Sequence, residues 1–345
     1  MPKESPLFFQ LCLAVALLTA FSSATFADEQ WLTFPSQSGP GKGKRIVLVS
    51  GDEEYRSEEA LPQLAKILSK HQGFDCVVTF SIDPDTGTID PNLHTNMPGV
   101  QALESADLLI LLTRFRDPPP DQMKHFVDYF NSGKPIIGLR TATHAFEIKK
   151  GPNRKYSWDS KVPGWEGGFG RRILGETWVS HHGDHKKQST RGLIAPGMES
   201  SPLVRGCDDI WVPTDVYGVR LPLPGDCRTV ILGQVLSGMN PTDPPVKGPK
   251  NDPILPVAWT KTYQGENGHV GRVFTTTMGS AVDFENESLR RLIVNATYWC
   301  LGMEDKIPPK ADVDIVGEYR PTDFGFNGFR KNHKPQDYFP DQWPK

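Results

Sequence analysis

The chain has 345 residues, 37% of them hydrophobic and 23% charged, with a formal net charge of −3. Counting the 32 glycines as well brings the apolar share to about 46%, which excludes a disordered or fibrous chain. The near balance of 38 basic and 41 acidic residues excludes a general nucleic-acid binder, which needs a strongly basic face.

In chain order the first feature is a leader. Lys3 gives a short positive end, Leu7 to Phe21 is apolar, and small residues follow, with cleavage expected after Ala24 or Ala27. The pattern predicts a signal peptide over residues 1–27 and an exported protein, periplasmic or secreted. No later stretch holds 18 apolar residues in a row, so no membrane span is expected after its removal. Residues 28–44 read as a lead-in.

Arg45 to Ser50 is a short apolar run bounded by glycines, as a buried strand should be. Ser57 to Lys70 has helical spacing at Leu61, Leu64, Ile67 and Leu68, and Asp75 to Phe80 reads as a second strand. Asp107 to Leu112 is nearly all apolar, the mark of a parallel strand covered on both faces. A helix follows with Met123, Phe126, Val127 and Phe130 on one face, and Pro135 to Leu139 is a fourth strand. This alternation predicts an α/β fold with a doubly wound, flavodoxin-like parallel sheet and right-handed crossovers.

The middle, about 149–252, is rich in Gly, Pro and polar residues, with a strand at Thr229 to Leu236 and a long loop at Ser237 to Asp252. Loops of that length tend to be functional. Pro256 to Thr262 and Gly271 to Thr277 read as strands, and Glu285 to Leu301 as a closing helix with Leu289, Leu292, Ile293, Ala296 and Trp299 inward. We therefore expect one α/β domain over 45–303 with an elaborated middle region, and an irregular C-terminal extension over 304–345. The mature cysteines are Cys76, Cys207, Cys227 and Cys300. Cys207 with Cys227 would close a short loop in an exported protein, and the absence of a CxxC pair argues against a structural zinc knot.

In an open α/β sheet, ligands sit beyond the carboxyl ends of the strands. Four turns fall there: Gly51 to Arg56, Thr113 to Asp117, Arg140 to His144, and Met278 to Ser280. They are unusually rich in ionisable side chains, and topology converges them on one edge.

The run Pro135 to His144 resembles the strand-to-elbow element of the class I glutamine amidotransferase-like fold, with Arg140 in the place of the nucleophilic Cys. A guanidinium stays protonated and is no nucleophile, so glutaminase chemistry is excluded. Arg140 would instead hold a carboxylate, a phosphate or a developing oxyanion. Within that superfamily the chain resembles the ThuA-like (trehalose-utilisation) family. Four segments carry the resemblance, in order: Gly138 to Phe146, Gly167 to Phe169 before a His-rich loop, Thr214 to Tyr217, and Pro256 to Thr260 leading to Gly271 to Phe274. The family pattern has a His where Arg140 stands and another where Ser280 stands. The resemblance implies a role in sugar metabolism.

Trp178 to His185 places His181, His182 and His185 within five residues, with Asp184 among them. Imidazole with carboxylate suits a divalent ion such as Zn, Mn or Fe, and His144 or Asp215 could complete the set. A metal-free reading uses His144 or His182 as general base, Asp215 as its orienting or acid partner, and Arg140 to fix the substrate. Glu54, Tyr55 and Arg114 are substrate-binding candidates from the edge turns, and Trp178, Tyr217 and Trp259 could stack on a sugar ring. The expected ligand is a small carbohydrate and the expected chemistry hydrolase, lyase or isomerase. Assembly into a homo-oligomer stays open. A sugar-binding or scaffold module without catalysis is the alternative, favoured by the missing elbow nucleophile.

Overall fold

Residues 30–339 are described in the computed structural model, so the leader expected at 1–27 lies outside them. The elements are β1 (Trp31–Phe34), β2 (Arg45–Gly51), α1 (Ser57–Lys70), β3 (Asp75–Thr79), β4 (Leu108–Thr113), α2 (Pro120–Asn131) and β5 (Ile136–Leu139). They continue with β6 (Thr190–Ile194), β7 (Ile210–Val212), β8 (Arg228–Val235), β9 (Leu255–Gln264), β10 (Val270–Thr276) and α3 (Glu287–Cys300). All ten strands form one sheet in the order β1-β3-β2-β4-β5-β10-β9-β8-β6-β7.

The apolar runs become a parallel core, β3-β2-β4-β5-β10, with its two faces packed separately. Ile46, Leu48, Ile110 and Ile137 point into a cluster with α1 and α3, while Val47, Val49, Leu109 and Leu111 meet α2. Alternation of side chains across a strand requires this division. Chain order reverses at β2, with β3 on one side and β4 on the other, and ligands of such sheets sit at the carboxyl ends beside that reversal.

The expectation of a parallel sheet covers only half of what forms. β1 pairs antiparallel with β3, and β9, β8, β6 and β7 extend the other side antiparallel from β10. β9 leads into β10 through a short connection, residues 265–269, which favours an antiparallel neighbour over a crossover, whereas the long loop at Ser237 to Asp252 returns the chain from β8 to β9.

Helix α1 is buried at every residue from Ser57 to Ser69, on both sides rather than along one stripe. The sheet covers its apolar side, and the C-terminal extension covers its polar side. Thr322 and Arg330 both bond Glu59, and the Gln72 side chain just beyond the helix donates to the Asp312 carbonyl at 2.6 Å. In α3 the inward ring is Tyr298 rather than the expected Trp299, which is half-buried beneath the Arg272 guanidinium.

Among the described residues the four cysteines are free thiols, so the Cys207–Cys227 bridge does not form. Cys207 packs in the core against α3, where burial pushes its thiol up to about 12. Cys227 sits instead beside Gly175 and Trp259. Among the described residues no helix is long and apolar enough to cross a membrane.

Candidate active site at the carboxyl edge of the sheet

The four turns meet as topology requires. The Arg140 amide donates to the Met278 carbonyl at 3.2 Å, the Phe115 amide to the His144 carbonyl at 2.9 Å, and the Ala281 amide to the Tyr55 carbonyl at 3.0 Å. Thr141 Oγ1 donates to Asp52 Oδ2 at 2.5 Å, tying the elbow to the turn after β2. Burial raises the Asp52 carboxyl above its ordinary range despite that bond and the nearby arginines.

Arg140 sits at the elbow in the left-handed conformation, φ 43°, with no exposed surface. Its guanidinium points inward. Nη1 donates to the Asp215 carbonyl at 2.7 Å and the Thr277 carbonyl at 2.6 Å; Nη2 donates to Tyr55 Oη at 3.0 Å and Asp215 Oδ1 at 2.8 Å. The Tyr55 and Tyr217 rings lie 4.4 and 3.7 Å from it on centroid distance. A guanidinium held this way cannot reach a substrate, which removes the expected role of Arg140 in fixing one. Its task is to hold Asp215 in place.

Asp215 is the hub. Burial alone would raise its carboxyl, but Arg140 and two imidazoles outweigh that and hold it well below the ordinary range. His181 Nδ1 lies 2.7 Å from Oδ2, and His185 Nδ1 lies 3.3 Å from Oδ1. His185 Nε2 in turn lies 3.5 Å from Glu54 Oε1, and Arg114 Nε lies 3.7 Å from Glu54 Oε2. Burial, helped by the Asp52 charge, raises the Glu54 carboxyl.

The histidine loop is laid onto this hub by backbone pairing. His182 donates its amide to the Val216 carbonyl at 2.9 Å, and Gly218 donates to the Ser180 carbonyl at 2.8 Å. Gly183 permits the approach: a Cβ there would stand 3.1 Å from the Asp215 Cβ.

His181 and His185 therefore turn toward Asp215, while His182 turns away, with Nε2 2.9 Å from the Lys250 carbonyl. Of the three histidines expected as metal ligands, His181 and His185 group with Glu54, one ligand atom of each within 4.8 Å of the others, and His182 stands outside that group. His144 is not paired with Asp215 either. Its Nδ1 lies 3.1 Å from Thr143 Oγ1, and burial pushes the imidazole well below its ordinary range, so it is neutral.

Of the expected sugar-stacking rings, Trp259 is fully buried, its indole donating to the Leu174 carbonyl at 2.7 Å, and it belongs to the core. Tyr217 is spent under Arg140. Half-buried Trp178 stays at the edge, its ring centroid 5.8 Å from His144 and 6.1 Å from His181. Arg114 also remains there, its guanidinium 4.6 Å from the Phe115 ring and 5.0 Å from the Phe326 ring.

Three aromatic residues at the edge escaped sequence reasoning. Phe115 lies against His144 at 5.0 Å, and Phe324 stacks on Tyr55 at 5.7 Å and meets His185 at 5.3 Å. Phe326 is 57% exposed beside Arg114. Phe115 belongs to a turn already singled out. The other two come from the aperiodic extension, which carries no signal of where it docks.

A family model described as trehalose utilisation, ThuA, matches residues 45–300. The chain belongs to the ThuA family. The match ends before the extension, so Phe324 and Phe326 lie outside the ThuA span. Among solved structures the chain is similar to a ThuA-like protein from Parabacteroides merdae, 16% identical with a TM-score of 0.46, over 81% of this chain and 95% of that one. It is also similar to a ThuA-like protein from Bacteroides uniformis, 14% identical with a TM-score of 0.46, over 80% and 98%. No protein of curated function matches.

Proposed function

We propose that this ThuA-family chain acts on a carbohydrate or sugar derivative, by hydrolysis or a related lyase or isomerase step. Membership of the ThuA family supports the carbohydrate, and the site supports the chemistry. The observation that carries the reading is the Asp215 hub, which presents two imidazoles and the Glu54 carboxyl together at an edge lined by Trp178 and Phe115.

Hydrolysis of a sugar bond delivers a proton to an oxygen and takes one from water, whereas a lyase or isomerase step takes its proton from carbon; in each, a positioned group must exchange a proton with an oxygen of the sugar. Glu54, its carboxyl raised by burial, and His181, 35% exposed at the side chain, are the groups placed to exchange it with a sugar hydroxyl. Asp215 and Arg140 are positioning residues, and His144 is a neutral donor or acceptor at the wall. The order of the parallel strands supports a flavodoxin-like core of the glutamine amidotransferase type, without glutaminase chemistry at the elbow. The leader pattern supports export. A binding module without catalysis is the second reading, favoured by an elbow residue whose Nη1 and Nη2 are both spent on internal bonds.

The test is to incubate the purified protein with a panel of monosaccharides, disaccharides and glycosides and follow their anomeric signals by proton NMR. We expect one class to be converted, with the rate at least about 100-fold lower in Glu54→Gln or His181→Ala. Sugars that bind and are never converted would leave the binding module. No sugar bound at all would contradict both.

A further inference from the structure

We infer that Glu54, His181 and His185 bind a divalent first-row transition-metal ion, with Asp215 as the carboxylate that holds both imidazoles. This rests on the sugar reading and deepens it: with an ion bound, Glu54 and His181 serve as its ligands and the proton exchange would pass to water on the ion, yet the site is testable with no sugar present.

One ligand atom from each of the three residues lies within 4.8 Å of the others. The 3.5 Å between His185 Nε2 and Glu54 Oε1 is long for a hydrogen bond. It is instead the spacing of two donors on one ion: donors about 2.1 Å from an ion at the tetrahedral angle stand about 3.4 Å apart.

The tautomers agree. Nδ1 of each imidazole faces an Asp215 carboxyl oxygen, at 2.7 Å for His181 and 3.3 Å for His185, and an imidazole that donates from Nδ1 presents its lone pair on Nε2. A metal-binding imidazole commonly has its other nitrogen held by a carboxylate in this manner. One carboxylate serving two imidazoles is hard to account for as stability alone. Arg140 already offsets the Asp215 charge, and side chains 35% and 25% exposed gain little from burial.

Charge and access fit as well. Arg114 approaches Oε2 of Glu54, leaving Oε1 to the ion. Three protein ligands, two of them part-exposed, leave a coordination position open to water or a sugar hydroxyl, as in metal sites that do chemistry rather than hold a fold. Two imidazoles and a carboxylate suit Zn²⁺, Fe²⁺, Mn²⁺ or Co²⁺, and not Ca²⁺ or Mg²⁺.

The full-length protein, stripped by chelator, should be titrated with Co²⁺ by visible absorption and with Zn²⁺, Mn²⁺ and Fe²⁺ by calorimetry. We expect one equivalent bound and the d–d bands of imidazole-coordinated cobalt. His185→Ala and Glu54→Gln should lose binding, Asp215→Asn should weaken it about 10- to 100-fold, and His182→Ala should leave it unchanged. Circular dichroism on each variant separates lost binding from lost fold, and Glu54→Gln keeps side-chain shape. Binding of none of the four ions tighter than about 1 mM, or undiminished binding in folded His185→Ala and Glu54→Gln, overturns the inference. One equivalent bound with no sugar converted upholds this site and counts against the sugar reading; conversion by protein that binds none of the four ions does the reverse.

Discussion

Arg140 shows how position and role separate at the level of one residue. The elbow delivers a side chain to the carboxyl edge, but this chain turns it inward, where four hydrogen bonds and two tyrosine rings hold it. The buried Arg140–Asp215 pair is therefore the electrostatic foundation of the site. Removing one partner from such a pair leaves an uncompensated charge and costs about 3–5 kcal/mol. Arg140→Met should lower the unfolding free energy read from urea melts by that amount, and Arg140→Met with Asp215→Asn should recover part of it, since the charges go together. A loss under about 1 kcal/mol in the single variant would mean that Asp215 is held by other means.

Helix α1 carries the corresponding lesson for an element. Its leucines have helical spacing along one stripe, yet the extension buries the opposite face too, and Glu58 is enclosed with neither carboxyl oxygen hydrogen-bonded among the described residues. Burial, reinforced by the neighbouring Glu59 charge, raises the Glu58 carboxyl well above its ordinary 4.5. Below that pH both the folded and unfolded chains hold the proton, and Glu58 adds no pH dependence. Above it the unfolded chain releases the proton while the folded chain retains it, so stability falls as pH rises. Glu58→Gln cannot release a proton in either state. Melting curves of the variant and the natural chain should therefore diverge from pH 5 to pH 8, the variant gaining about 2 °C or more. Parallel curves across that range would show that the Glu58 carboxyl is not raised.

Across the whole molecule, what could be read from sequence follows the physics of each part. Strands such as Leu108–Thr113 are buried on both faces, so their apolar runs mark them, and the loops at their carboxyl ends meet at one edge as the topology requires. The antiparallel wing was less legible. β6 is Thr-Arg-Gly-Leu-Ile and β7 is three residues long, too short and too mixed for periodicity to register. Within the site, the histidine loop and Asp215 stand out by composition. Which imidazoles face Asp215 is set by backbone pairing with Val216 to Gly218, about 35 residues on, so His182 could not be told from His181 by spacing. The inward turn of Arg140 depends likewise on Asp215, 75 residues away in sequence.

The most direct measurement is anomalous diffraction from crystals of the full-length protein loaded with Zn²⁺ or Mn²⁺. The account predicts one strong peak about 2.0–2.3 Å from a Glu54 carboxylate oxygen and from one nitrogen each of His181 and His185, with His182 remote. No peak there, or a peak on His182, would contradict it.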